Sequence, residues 1–145
     1  MLVNDLFESV HRSILPLQPT DEMIARAKDF ALRKWIERHH ETRGHNEHLK
    51  DDIPTDLSMA CKFCSLFAQK LFGGVLRGNE KHQWLLCHDK KIDLADDAMF
   101  TRSLSDYHQK RHDRRFFGNR HHQDSLDSCM PRVEKWVEGF LGELA

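Results

Sequence analysis

Apolar side chains recur at helical spacing in two stretches near the start of the chain. The first covers residues 2–14, and Pro16 and Pro19 end it because proline cannot continue a helix. The second begins at Thr20 or Asp21, which are cap-forming residues, and its apolar stripe predicts a helix to about His40. Two N-terminal helices are therefore expected.

The pattern changes in the middle of the chain. Residues 61–72 suit a buried helix that stops at Gly73-Gly74, and Thr55 to Ser58 supply cap-forming residues before it. Three short β-like runs follow at 75–77, 82–87 and 91–94. A helix followed by an antiparallel meander predicts an α+β fold.

The remaining segments carry weaker patterns. Residues 39–52 have four histidines and no apolar period, which predicts an exposed connection. Residues 96–107 are ambiguous and suggest at most a short helix with Met99 and Phe100. Ser128 is expected to cap a last helix that has Pro131 in its first turn.

The chain has 145 residues, which fits one domain. Within it we distinguish N-terminal helices and an exposed loop at 1–52, a core at 53–100, and a basic segment with the last helix at 101–145. No internal repeat is present.

Charge and apolar content set limits on the function. The formal net charge is -1, so the chain as a whole has no electrostatic pull toward nucleic acid or an anionic membrane. No apolar run is long enough to span a bilayer, and Asp5 and Glu8 stand where a signal peptide would be basic and then apolar. We expect a cytoplasmic protein with free thiols. The sequence does not indicate an oligomeric state.

A thiol, an imidazole and a carboxylate occur in order at Cys61, His82 and Asp93. These groups provide a cysteine nucleophile, its base and the acid that orients the base. Cys61 is expected on the first turn of its helix, where unpaired N–H groups favour a thiolate. Cys64, one turn further on, is expected to be an ordinary core residue.

Strand geometry partly tests this triad. An even hairpin loop puts His82 and Asp93 on the same face of the sheet. A tight loop at Asp89-Lys90, however, sets Asp93 opposite Leu86, about 13 Å along the strand from His82 at roughly 3.3 Å per residue. A bulge or a wider loop around Cys87-His88 would have to close that gap.

The same block resembles a group of small bacterial proteins with a papain-like or transglutaminase-like core. The residues that carry the resemblance are Cys61, Gln69, Gly73-Gly74, His82-Gln83-Trp84 and Ile92-Asp93-Leu94. The resemblance covers about 40 residues. It implies a cysteine-bearing helix packed on a small antiparallel sheet, and a Cys61–His82–Asp93 triad without a cofactor. The implied activity is that of a peptidase, deamidase or transglutaminase-like acyltransferase, acting on a peptide, a protein or a small amide.

The residues that would bind the substrate are less defined. Members of that group often carry a glutamine just before the cysteine, where this chain has Ser58-Met59-Ala60. The backbone N–H of Cys61 would then need a second oxyanion donor, for which Ser58 and Gln83 are candidates. Trp84 is either a wall of the cleft or a core residue.

Two other uses of the cysteines stay open. Cys61, Cys64, Cys87 and His88 form two close pairs of ligands that zinc accepts, although the first pair lies in an apolar helical pattern. Cys61 and Cys64 also have the spacing of a redox pair, but the βαβ pattern expected around such a pair is missing.

A third alternative is an inactive protein of the same fold that serves as a binding partner. The basic segment at 107–122 would be its contact surface, with Phe116 and Phe117 between the cations. Clustered cations and aromatics also suit nucleic acid. The residues concerned are Lys110, Arg111, Arg114 and Arg115. The commoner explanation of such a run is a solvated face.

Overall fold

The computed structural model describes residues 14–43, 53–96, 101 and 103–145. Within these residues it has five helices and a three-stranded sheet. The helices are α1 (Asp21–Arg43), α2 (Cys61–Phe72), α3 (Asp106–Lys110), α4 (Arg114–Phe117) and α5 (Arg120–Leu144). The strands are β1 (Val75–Gly78), β2 (Gln83–Cys87) and β3 (Lys90–Ile92). The predicted α+β class is confirmed.

Helix α1 begins where the sequence predicts. The hydroxyl of Thr20 accepts a hydrogen bond from the backbone N–H of Met23 at 3.1 Å, which caps the first turn. The helix runs to Arg43, slightly beyond the predicted end near His40, so residues 39–43 are helical and the exposed connection does not begin at His39 as predicted. The predicted helix at 2–14 and the histidines after 43 lie outside the described residues, apart from Ile14.

Helix α2 is the centre of the core. It has the sheet on one side and α5 on the other, and it ends at Gly73, whose φ of +76° suits glycine. Phe67 is fully buried and its ring lies 5.7 Å from Phe30, 5.8 Å from Trp136 and 5.8 Å from Phe140. Aromatic packing therefore joins α2 to both long helices.

The strands form an antiparallel meander in the order β1-β2-β3. Leu85 pairs with Leu76 on one side and with Ile92 on the other, and this face packs on α2. Since side chains alternate along a strand, the opposite face carries the neighbours of Leu85. Its members are Arg77, Trp84, Leu86 and Lys91. Part of the segment that contains α3 and α4 lies against this second face.

Helix α5 begins earlier than predicted. Asn119 caps it by accepting hydrogen bonds from the backbone N–H groups of His121 at 2.8 Å and His122 at 3.4 Å. Ser128 is therefore not the cap but an interior residue, and Pro131 lies inside the helix. The apolar side predicted for this helix is correct, because Val133, Trp136 and Phe140 are among its buried residues.

Met99 and Phe100, which suggested a short helix, lie outside the described residues. In the described part of the chain, no helix combines the length and the apolar character needed to cross a membrane.

We predict that Phe67→Ala lowers the free energy of unfolding by about 3–5 kcal/mol, because it opens a cavity between three aromatic rings. The matched control is Tyr107→Ala, an aromatic side chain that is 64% exposed, with an expected loss below about 1 kcal/mol. Chemical denaturation of both variants measures the difference. Equal losses would show that the Phe67 cluster does not hold the helices together.

Candidate active site

Cys61 is the first residue of α2, and its thiol is half-buried. The N-cap is Ala60, and no side chain forms a cap hydrogen bond there. The free N–H groups of a first helical turn bind negative charge. Met59 precedes the cap with a φ of +67° and is 78% exposed, so the chain turns sharply just before the thiol.

His82 and Asp93 form a buried pair. Nε2 of His82 lies 2.6 Å from Oδ2 of Asp93, and the two side chains are 2% and 8% exposed. Oδ1 of Asp93 accepts a hydrogen bond from the backbone N–H of Ala95 at 3.2 Å. Both carboxylate oxygens are therefore occupied, which fixes the orientation of the acid.

The strand register explains how the two residues meet, and it corrects the expected gap of about 13 Å. Cys87 pairs with Lys90, so the two-residue reversal is His88-Asp89 and not Asp89-Lys90. Extending that register sets Asp93 opposite Trp84, and His82 becomes its diagonal neighbour on the same face. Neither a bulge nor a wider loop is needed.

The turn before β2 places the backbone of His82. Asn79 is 2% exposed, and its Oδ1 accepts hydrogen bonds from the N–H groups of Lys81 at 2.8 Å and His82 at 3.3 Å. Its Nδ2 donates to the carbonyl of His108 at 2.7 Å. Gly78 has a φ of +122°, and a Cβ there would lie 2.9 Å from the Cα of Gln83 and closer still to the carbonyl oxygen of His82.

The ring of His82 has partners at both nitrogens. Burial lowers its pKa, but hydrogen bonds with Asp93 and with the thiol of Cys61 outweigh burial and raise the pKa to about 9. Nδ1 lies 3.4 Å from the hydroxyl of Thr101, which itself donates to the carbonyl of Ala95 at 3.1 Å. Because the hydroxyl hydrogen of Thr101 is used in that bond, its oxygen can accept a hydrogen bond from Nδ1–H. These contacts suit a protonated ring, in which both Nδ1 and Nε2 are donors.

A cavity of about 180 Å³ opens beside these groups. Cys61, His82 and Thr101 line it together with apolar and charged side chains, namely Leu57, Met59, Ala95, Lys62, Glu80 and Lys81. Apolar walls with a few converging polar groups are typical of small-molecule and peptide sites.

Gln83 and Ser58, the two candidate oxyanion donors, lie outside the cavity beside Cys61. Gln83 is buried on the core face, where Nε2 donates to Ser65 at 2.5 Å and Oε1 accepts from His122 at 2.9 Å. The Oγ of Ser58 is buried, has no hydrogen-bond partner among the described residues and does not line the cavity. Neither side chain is placed to serve as the second oxyanion donor.

Trp84 lies next to the pair without lining the cavity. Its ring stacks on His82 with centroids 6.0 Å apart, and Lys91 Nζ lies 4.4 Å from its centroid on the open sheet face. It is 5% exposed and stands outside the main apolar cluster. Trp84 therefore covers one side of the His82 ring on this face of the sheet.

The four proposed zinc ligands do not meet. Cys87 Sγ donates to the carbonyl of Phe72 at 3.4 Å, at the end of α2 opposite Cys61. These ends are roughly 16 Å apart at about 1.5 Å per residue. His88 is exposed in the hairpin turn, and Cys64 is buried. Among the described residues, no group of three or more histidine, cysteine or acidic side chains is arranged to hold a metal ion.

The basic segment is not one uniform surface. Arg111 pairs with Asp113 at 3.3 Å and lies over the ring of Tyr107, whereas Lys110 faces a groove on the open sheet face. Arg114 and Arg115 lie in the short helix α4.

Two residues of the site were not identified from the sequence. Asn79 is not among the predicted site residues, although an asparagine in a short segment between two strands is a signal for a side chain that binds the turn. Thr101 has no such signal, because only the folded chain brings it to His82.

No protein-family model, curated protein or solved structure matches this chain significantly. The assignment of its function therefore depends on the site itself.

We predict that His82 makes stability depend on pH. Because its folded-state pKa is raised from 6.5 to about 9, its stabilising contribution is full below about pH 6.5 and is lost as the pH rises through 9. The difference in unfolding free energy between wild type and His82→Gln should fall over that range. Denaturant titrations at several pH values measure it.

His121→Gln is the control, since His121 is exposed at the start of α5. A His121 variant with the same pH profile as His82→Gln would contradict the assignment. Asp93→Asn should lower the pKa of His82 in an NMR titration, because it removes the anionic partner.

Proposed function

We propose that this protein is a thiol-dependent hydrolase or acyltransferase that uses Cys61 as nucleophile, His82 as proton carrier and Asp93 as the orienting acid. The observation that supports this most is that one buried imidazole is hydrogen-bonded to the carboxylate and lines the same cavity as the thiol. A purely structural cysteine needs neither partner.

The reaction follows from these contacts. Cys61 Sγ, as a thiolate, attacks the carbonyl carbon of an amide, and the resulting oxyanion is held by the backbone N–H of Cys61 at the start of α2. The C–N bond breaks as protonated His82 gives its proton to the leaving amine. Water or a second amine then attacks the thioester, His82 takes the proton from it, and the thiolate leaves.

Asp93 and Thr101 act on the ring and not on the substrate. Asp93 occupies Nε2 and stabilises the imidazolium, so Nδ1 is the nitrogen available for proton transfer. Thr101 contacts that nitrogen from the cavity wall and limits rotation of the ring.

We further propose that the architecture is papain-like or transglutaminase-like. A helix that begins with the nucleophile and packs on a meander bearing the histidine and the acid supports this proposal. The substrate would be a peptide, a protein side chain or a small amide, since the cavity has apolar walls and charged residues beside the thiol.

We predict that iodoacetamide labels Cys61 at least about tenfold faster than the other cysteines, because reactive thiols are accessible and have a basic neighbour. Cys64, Cys87 and Cys129 are 2%, 2% and 5% exposed. Mass spectrometry of the native protein measures the labelling of each thiol. His82→Gln should slow labelling of Cys61 and leave the buried thiols unchanged.

We predict that Cys61→Ala lowers turnover by at least about 10³-fold and keeps the fold, since it removes the atom that forms the thioester. A panel of fluorogenic amides and activated esters, run with and without an acceptor amine, measures both hydrolysis and transfer. Cys64→Ala is the matched control and should lower stability by about 1–3 kcal/mol while retaining activity. The reverse result would overturn the choice of nucleophile.

A further inference from the structure

A groove of about 320 Å³ lies on the sheet face away from α2. We call it the Arg77 groove. Its floor comes from the strands and its wall from the end of α3 and the residues after it. It is lined by Arg77, Trp84, Leu86, Lys91, Gln109, Lys110 and His112.

The groove is positively charged. Arg77, Lys91 and Lys110 line it, and no aspartate or glutamate among the described residues does. None of these three cations forms an ion pair within the described residues. Each of them lies on a different element, so the fold brings together like charges that repel one another.

Two carboxylates that neighbour the lining residues in the sequence are already engaged. Oδ1 of Asp113 accepts from the backbone N–H groups of Arg115 and Phe116, and Oδ2 pairs with Arg111. Asp93 is held by His82 and Ala95. Neither acid is free to neutralise the groove.

Two polar atoms of the lining residues are buried and have no hydrogen-bond partner in the part of the chain that the structure describes. They are Nε of Arg77 and Nδ1 of His112. A buried polar atom without a hydrogen-bond partner destabilises the fold, so such atoms usually have a missing partner. The pKa of His112 is lowered, first by burial and then by the charges of Arg77 and Arg114. The charge of Asp113 acts in the opposite direction. An anion would relieve the repulsion and supply acceptors.

We infer that the Arg77 groove binds an oxyanion group, a carboxylate or a phosphate, with Arg77, Lys91 and Lys110 as its cationic ligands. A guanidinium suits such groups because it presents several N–H donors in a plane. The side chains of Trp84 and Leu86 provide an apolar floor for the part of the ligand that carries the anion.

The groove borders the proposed active site. Trp84 lines the groove and stacks on His82, while Gln109 lines it and donates to the carbonyl of Thr101 at 3.1 Å. Binding here does not require the thiol, so the inference goes beyond the proposed function and is tested separately from it.

Inorganic phosphate and glutarate are titrated separately into the Cys61→Ala protein at constant ionic strength, with chloride as the reference anion. NMR signals of the His112 ring, assigned with His112→Gln, and the thermal midpoint are followed. We expect saturable shifts with at least one of the two oxyanions. The tighter ligand distinguishes a phosphate-bearing partner from one that carries a carboxylate.

Arg77→Gln should weaken binding by about tenfold or more, because hydrogen bonds to charged groups are strong. If that variant fails to fold, the double variant Lys91→Gln/Lys110→Gln tests the same charges at exposed positions. The control Lys135→Gln removes one exposed cation from α5 and should leave binding unchanged.

The inference is supported if binding is saturable, if both groove variants weaken it and if Lys135→Gln leaves it unchanged. Shifts no larger than those given by chloride, or an equal effect of Lys135→Gln, would overturn it. Because Cys61 is absent from the tested protein, neither outcome depends on thiol chemistry.

Discussion

The hydrogen bond between His82 and Asp93 exists only because the hairpin reverses at His88-Asp89. A reversal one residue later would leave Asp93 on the correct face but about 7 Å further along the strand, since pairing then shifts by two residues. A shift of one residue in the pairing would turn Asp93 toward the core and Ile92 toward solvent. Burial of Ile92 and Leu85 against α2 resists such a shift, so the apolar core sets the geometry of the polar pair.

Helix α2 connects the thiol of the candidate site to the core of the protein. Its first residue is the thiol, and further along it the ring of Phe67 is held among aromatic side chains of the long helices. On the core face a second set of contacts joins β2 to the helices, through Gln83, Ser65 and His122. Burial, followed by the charge of Lys62, lowers the pKa of His122, which favours the neutral ring in this network. A satisfied polar network of this kind fixes how the strand lies on the helix, and with it the distance from His82 to Cys61.

Much of the fold could be predicted from the sequence, because the strongest signals are local. Helical periodicity and the glycines at 73 and 74 predict α2, and short β-like runs predict the strands. The start of α5 was missed because Pro131 looks like a first-turn residue, whereas the actual cap is Asn119. The sequence shows Cys61, His82 and Asp93 in the order of a triad. The distance between His82 and Asp93, however, depends on which two residues form the hairpin turn, and composition does not define them. Thr101 reaches His82 through the fold alone, and the repulsive cluster around Arg77 joins residues that are far apart in the chain.

Gly78 stands where the backbone of β1 passes close to that of His82. A Cβ at this position would collide with the backbone of His82 and Gln83. The positive φ is also strained for a residue with a side chain, so two independent reasons exclude every other amino acid. In evolutionary terms, the position is closed to substitution for as long as the turn is kept. Any lineage that descends from this sequence and retains the histidine in its present place should retain this glycine as well, whatever happens to the residues around it.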